Sequence, residues 1–530
     1  MLLVFLAAVA AVLFIACVNV VNLVLTRATR REHEHVVRGA LGARPARLIQ
    51  QLLTESTLLC LLGGALGVLL ALFLTDALVA MSPASIPRKE QIAVDGGVLG
   101  FTLALTVVVG LATGLTPALH ASRADLVSGL NVASRGSGGS VQSARLHDGF
   151  VVAQLAVTLT LLICCGLLIR SLVGLLELET GVDPKNVLVF DTSLPETRYR
   201  SFDERRLFYD EMRERLRALP GVRTAALAVY FPASGWFHTN SFEVEGHVPA
   251  PGEELVAEVK QVTPDYFATL GIALIDGRVF DDHDGVSGPE VIVISESVAR
   301  QYWQQGSAVG GRIRFRDKWL SVVGVVSDVR YRGELRDLPQ LYRPYAAGSF
   351  AWSVDGLLRV EGRPAQYALS VRRVIASLDP NVVVSDLLPF EDVLRTSVSE
   401  PRFRTLMLGA FGLASVPLSV VGVYGVMAYA VARRTREFGI RKALGSGQVR
   451  TMRHIAARGL TLTGVGVVLG IGGAYAASGV LESYLFNLDA HDPTTFAIGT
   501  VVLATASMLA CSIPAYRATR VDPLVALRVE

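Results

Sequence analysis

Charge is what this 530-residue sequence has least of: Lys, Arg, Asp and Glu together make up 18% of it, against about a quarter in an ordinary soluble protein. Hydrophobic residues make up 51% and the mean hydropathy is +0.44, a composition that points to a membrane protein. Cysteine is scarce too. Cys17, Cys60, Cys164, Cys165 and Cys511 all lie in apolar runs and none lies in the long polar middle of the chain. That leaves no disulfide framework and no Cys-x-x-Cys metal site, and the five read as small apolar packing residues. No G-x-x-x-x-G-K-S/T occurs, so the chain does not itself cradle nucleotide phosphates. No nucleophile–base pair stands out. The His-Glu-His at 33–35 lacks the helical spacing that holds zinc, and Asp281, Asp282, His283 and Asp284 are adjacent residues in a turn-like run. No catalytic, metal or cofactor site is expected.

What is present is long apolar runs. Seven stretches have the length that crosses a bilayer core: about 2–25, 57–75, 97–118, 149–169, 405–431, 459–481 and 494–513. None carries a charge near its centre, which argues against a proton- or sodium-coupled carrier. The uncharged polar groups inside them, Asn19, Asn22, Gln154, Thr158 and Thr160, are read as hydrogen-bonding between helices. Basic-rich and basic-poor loops alternate along the chain, and the rule that positive loops stay inside puts the C-terminus in the cytoplasm and residues 171–402 outside. It also puts the N-terminus outside with nothing ahead of the first span, so the chain reads as lacking at least one earlier span.

The outer segment reads as a compact α+β domain. Residues 186–194 suggest a strand, and 201–219 an amphipathic helix capped by Ser201 with acids in its first turn. A strand then a strand running into a helix follow at 222–231 and 291–303. Residues 320–330 are a dense β-branched run, and 366–380 another helix, ended by proline.

Part of the sequence is written twice. "RREHEHVVRGALGARPAR" (30–47) and "RRTREFGIRKALGSGQVR" (433–450) align at a shift of 403, with Arg30, Arg31, Glu34, Arg38, Ala40, Leu41, Gly42 and Arg47 each meeting its own kind. At the same shift Gly63 and Gly67 fall on Gly466 and Gly470, and each pair is a small-xxx-small spacing that lets membrane helices approach closely. "PALHASRAD" (117–125) likewise meets "PAYRATRVD" (514–522). The repeated unit is span, basic cytoplasmic helix, span, outer turn, span. Its basic helix would lie along the inner membrane face near lipid. An anchor needs only charge, so the retained glutamate and Ala-Leu-Gly point to a surface for a protein partner.

These strings carry a family resemblance. "REFGIRKALGSGQVR" and "IPAYRATRVDPLVALR" resemble the cytoplasmic loop and C-terminal ending of FtsX/MacB-type ABC transporter permeases. "VTPDYFATLGIALIDGRVF" (262–280), "VIVISESVARQYW" (291–303) and "SVVGVVSDVR" (321–330) resemble the MacB-type periplasmic core domain. Two units in one chain resemble the duplicated, acidobacterial-type orphan permeases. The resemblance implies a polytopic α-helical protein of the bacterial inner membrane with about seven spans, two FtsX-like units and one extracytoplasmic α+β core domain. Its implied divisions are 1–130 (first unit, lacking its first span and outer domain), 131–148 (linker), 149–170 (span), 171–402 (core domain) and 403–530 (second unit). It implies a permease subunit, not itself an enzyme, driven by a separate cytoplasmic ABC-type ATPase, with no cofactor and no nucleic-acid partner. The coupling residues would be Arg434, Glu437, Arg441, Lys442, Ala443, Leu444 and Gly445 in the second copy, and Arg31, Glu34, Arg38, Leu41 and Gly42 in the first. The first copy departs from the family pattern at "EHVVRGALG". Export or extraction of an amphiphile (drug, peptide or lipoprotein) is the expected role, sometimes with a periplasmic adaptor. The alternative is a transmembrane regulator that activates an outer cell-wall hydrolase or signals envelope stress.

Overall fold

The computed structural model describes residues 2–30, 45–82, 89–122, 141–234, 238–252, 254–285, 288–304, 306–330, 338–347, 352–433 and 448–519. The chain divides into two compact units, Met1–Leu172 with Arg402–Glu530, and Val173–Pro401.

The first unit is a bundle of long helices: α1 (Leu2–Arg30), α2 (Pro45–Met81), α3 (Gly96–Ser122), α4 (Val141–Glu177), and, after the second unit, α10 (Ser399–Arg433), α11 (Gln448–Leu481) and α12 (Pro493–Thr519). Among the described residues six helices are long and apolar enough to cross a membrane. The remaining expected span, 97–118, falls on α3, where the apolar stretch Gly96–Ala112 is shorter. One core cluster runs through the bundle, joining Ala8 and Ile15 of α1 to Leu155, Leu159 and Ile163 of α4, Val423 and Met427 of α10, and Leu503 and Ala510 of α12. In lipid such contact rests on close packing, with no gain from removing apolar surface from water.

The second unit carries eleven strands among the described residues: β1 (Val187–Ser193), β2 (Val222–Val229), β3 (Thr239–Val244), β4 (Val256–Val262), β5 (Leu274–Gly277), β6 (Val291–Ser295), β7 (Arg312–Phe315), β8 (Lys318–Val326), β9 (Gln340–Pro344), β10 (Ser353–Val360) and β11 (Val383–Pro389). Five helices accompany them: α5 (Phe202–Arg217), α6 (Tyr266–Leu270), α7 (Glu296–Tyr302), α8 (Ala368–Leu378) and α9 (Phe390–Ser397). The strand order is β11-β1-β10-β2-β4-β3-β7-β8-β6-β9, and β9 also pairs with β4, in parallel. Strands β4, β3, β7, β8, β6 and β9 therefore form a closed ring, which leaves them no free edge along that path. Its interior is filled by Phe242, Val244, Ala257, Val259, Ile292, Ile294, Ile313, Leu320, Val322 and Leu341. Their alternation along each strand is the two-residue period of a half-buried sheet.

Strands β2, β10, β1 and β11 extend from β4 as an antiparallel sheet, with β10 paired to both β1 and β2, while β5 pairs with β8 of the ring. Helix α5 covers one face of it. Ser201 caps that helix through a reciprocal box: its hydroxyl accepts from Glu204 N (3.2 Å) while Glu204 Oε2 accepts from Ser201 N (3.0 Å). Phe208, Tyr209, Met212 and Leu216 then fall on one helical face and pack with Leu188, Phe190, Leu227 and Leu358.

Candidate functional site

The twelve residues expected to couple to a partner, Arg31, Glu34, Arg38, Leu41, Gly42, Arg434, Glu437, Arg441, Lys442, Ala443, Leu444 and Gly445, lie outside the described residues. The four glycines of the repeat are described, and they are not equivalent. A methyl group on Gly466 would come within 2.7 Å of Leu155 Cβ, and one on Gly470 within 2.8 Å of Leu159 Cβ and 3.0 Å of the Ala156 carbonyl. Both therefore let α11 press against α4. At Gly63 and Gly67 nothing lies within 4 Å. The close approach in the first copy comes from other residues. Gly110 of α3 faces the Thr57 Cα, with 3.0 Å for an added methyl, and the Ser56 hydroxyl donates to the Gly110 carbonyl at 3.0 Å.

Helix α4 is fastened to the second copy along its whole length. Arg458 of α11 donates two bonds to Asp148, at 2.9 and 3.0 Å. The Thr160 hydroxyl reaches the Gly470 carbonyl at 3.3 Å. Further along, Arg170 pairs with Asp492, and Ser171 Oγ accepts from Phe486 N at 2.8 Å. Asp492 is itself the cap of α12, accepting from Thr495 N (2.7 Å) and Oγ1 (2.6 Å). On the other side of α4, Gln154 Nε2 and, from α1, Asn19 Nδ2 donate to the Leu418 carbonyl of α10. These polar groups tie helices together, and the bonds between Asn19, Gln154 and α10 join the first copy to the second.

The outer unit holds a buried polar network that the sequence reading did not find. Lys260 and Glu258 are 1% and 2% exposed and pair at 2.7 Å, and Lys260 Nζ also donates to the Tyr230 carbonyl at 3.2 Å. Gln340 receives the Tyr342 hydroxyl (2.7 Å) and donates to the Val329 carbonyl (2.7 Å). Asp355 on β10 stands directly across from Asp191 on β1. Burial, with the Asp191 carboxylate adding to it, pushes the Asp355 carboxyl up to about 7, although it accepts from Phe231 N at 3.0 Å. The turn it caps is strained, with Tyr230 at φ 65° and Ala233 at φ 66°. In the sequence the charges of Glu258 and Lys260 alternate with Ala257 and Val259 and look like a solvated strand face; they lie on the face of β4 opposite the ring interior that Ala257 and Val259 fill, and are buried there beside Tyr230 and Gln340. The aspartate run at 281–284 is a structural loop: Asp284 takes two bonds from Arg278 (2.6 and 3.0 Å). Burial would raise its carboxyl, but those bonds hold it below the usual carboxylate range. Among the described residues no group of three metal-ligating side chains comes together.

The FtsX-like permease C-terminal profile matches this chain twice, at residues 6–126 and 409–523. The profile of the MacB-like periplasmic core domain matches residues 97–387, more than half of the chain. The chain belongs to the FtsX/MacB-type permease family. It is a membrane protein with a MacB-like periplasmic domain, and the compact outer unit begins at Val173, well inside the core-domain match. The uncharacterized ABC transporter permease YknZ of Bacillus subtilis is 25% identical over 285 residues, covering 52% of this chain and 71% of that protein. The macrolide export ATP-binding/permease protein MacB of Neisseria meningitidis is 24% identical over 287 residues, 52% of this chain and 44% of that protein. The probable syringafactin export ATP-binding/permease protein SyfD of Pseudomonas syringae is 27% identical over 296 residues, 51% and 42%. The chain thus spans less than half the length of the two relatives that carry an ATP-binding part.

Proposed function

We propose that this chain is the permease subunit of an ABC-type system, in which a separate cytoplasmic ATPase drives export or extraction of an amphiphile by the periplasmic domain. The observation that carries this reading is the double FtsX-like match around one MacB-like core, in a chain with no phosphate-cradling loop of its own. The alternation of basic loops puts residues 30–47, 433–450 and the C-terminus on the cytoplasmic side of the inner membrane, where an ATPase and anionic lipid would meet them.

The mechanism is mechanical. Closure of the nucleotide-binding partner on ATP would move the two basic blocks, and the helices would carry that motion to the outer unit. Helix α4 supports such a role, since Asp148, Gly466, Gly470, Arg170 and Ser171 brace it against the second copy from one end to the other. Of the two blocks, "REFGIRKALG" keeps the family pattern and is the stronger ATPase handle.

Co-purification with ATPases encoded near this gene tests the proposal, with Glu437→Ala and Arg441→Ala as variants. Loss of complex formation and of ATPase stimulation is expected; unchanged values for both would defeat the reading. Deleting residues 201–390 separates transport from regulation: failed export with intact wall cleavage supports a permease, and failed wall cleavage supports the regulator of an outer hydrolase.

A further inference from the structure

One end of the ring in the outer unit gathers positive charge. Strand β6 starts there just after Glu290, β8 starts there at Lys318, and β9 finishes there, since β6 runs parallel to β8 and antiparallel to β9. Leu341 of β9 and Phe315 of β7 belong to the ring interior. Arg343, two residues beyond Leu341, faces the same interior, with its guanidinium 5.0 Å from the centre of the Phe315 ring. The Arg316 guanidinium lies over that ring too, at 5.5 Å.

Two guanidiniums thus share one phenyl ring, and the acids nearby do not answer both. Glu290 pairs with Lys318 and stands 3.9 Å from Arg343, whose Nη2 also donates to the Ala347 carbonyl at 3.3 Å. Arg316 makes no ion pair or hydrogen bond among the described residues, and its neighbour Asp317 is exposed. Burial draws the Arg343 guanidinium below its ordinary value; Glu290 opposes that, and the charge of Arg316 adds to it. Arg316 is also strained. Phe315 and Lys318 pair across a two-residue hairpin, and its first central residue, Arg316, has φ 54°, where glycine is the usual occupant. A long cationic side chain at such a position, beside a second cation and without an acid of its own, is an outlier of the kind that marks functional sites.

We propose that Arg316, Arg343 and Lys318 form a binding site for a phosphate monoester at this end of the ring. Charge selects an anion, because the three cations face only Glu290 and Asp317 and one positive charge is left over. Shape selects phosphate. A planar carboxylate fills one guanidinium fork, whereas a tetrahedral phosphate has oxygens for two forks and a lysine. Arg343 is 8% exposed and offers an edge; Arg316 and Lys318 are exposed and supply the side towards solvent. Bound phosphate relieves the repulsion between the guanidiniums and competes with Glu290 for Lys318 and Arg343. The site goes beyond the permease reading and does not depend on it.

Thermal unfolding of the full chain in detergent, at fixed ionic strength, tests the site with glycerol 3-phosphate titrated in place of chloride. A saturable rise in unfolding temperature is expected. Arg316→Gly should weaken the apparent affinity about tenfold, while unfolding at a higher temperature than the parent in chloride, because glycine suits the hairpin. Arg316→Lys keeps the charge and loses the fork, and should weaken binding several-fold. No phosphate-specific rise, or an Arg316→Gly chain that keeps the parent affinity, overturns the proposal. An equal rise with acetate identifies a carboxylate ligand and overturns the phosphate assignment. Nanodiscs of phosphatidylcholine with and without phosphatidic acid distinguish the sources. A shift with phosphatidic acid that soluble glycerol 3-phosphate competes away supports a lipid headgroup, and a response to the soluble ester alone supports a free phosphate ester.

Discussion

Gly67 and Gly470 hold the same place in the repeat, yet a methyl group on the first would meet nothing within 4 Å, while one on the second would press on Leu159 and the Ala156 carbonyl. The helices that carry them differ in the same way. In the most apolar window of α2 no residue is buried, against 28% in α11 and 56% in α4. The difference is α4 itself. It lies along α11 and takes the glycine face, and no described helix does this for Gly63 and Gly67 on α2. A small-xxx-small spacing permits close approach without causing it; a neighbouring helix has to be there.

The sharpest way to break the comparison is a matched pair of substitutions. Gly470→Leu forces a branched side chain against the backbone of α4, and should cost about 3 kcal/mol or more, at the upper end of core overpacking. Gly67→Leu should stay within about 0.5 kcal/mol, as for an unconstrained surface position. Detergent-stable yield and unfolding temperature report both, and equal damage from the two would erase the asymmetry.

Comparing the copies requires recognising the outer unit's own unfolding, and Asp355 supplies a signature. Its carboxyl titrates near 7 when folded and near 3.8 when exposed, so the folded state binds the proton more tightly. The stabilisation is complete below the unfolded value and is lost as pH rises through 7. Between pH 5 and 7 the outer unit should lose on the order of 1.4 kcal/mol of stability per pH unit. Asp355→Asn should flatten that slope, which thermal melts across the window would show. The carboxyls of Asp284 and Asp379 are held low, so they titrate below this window.

Smaller effects test what holds each copy together. Gly110→Leu should separate α2 from α3 at a cost of roughly 1–2 kcal/mol, by the same overpacking, and cysteine cross-linking between those two helices would report it. Asp148→Asn should cost about 1 kcal/mol or less, because Arg458 and Asp148 are both about a third exposed. The loss should shrink further at high salt, which paired melts would detect.

Much of the fold was legible along the chain. The long apolar runs fall on helices, Ser201 and Glu204 announce the start of α5, and the β-branched runs at 186–194 and 320–330 are β1 and β8. The ring in the outer unit was not, because it is closed by parallel pairing of β4 with β9, whose partners Glu258 and Gln340 lie 82 residues apart. Lys260 and Glu258 resemble a solvated face in the sequence because the groups that cover them, Tyr230 and Gln340, come from elsewhere in the chain. The polar residues of the first and fourth spans were visible individually. That Asn19 and Gln154 share the Leu418 carbonyl was not, since Leu418 lies 399 and 264 residues from them along the chain.

Sequence by itself determined where the apolar runs lie and that one basic segment, with its following glycine pair, is written twice. Hydropathy over some twenty residues and identity at a constant shift are properties of the linear chain. Only the tertiary structure decided which glycine pair is a packing surface, which asparagine reaches a carbonyl of a distant helix, and which lysine is buried. Those outcomes depend on what is brought alongside, and a small or polar residue states only what its neighbour is allowed to be.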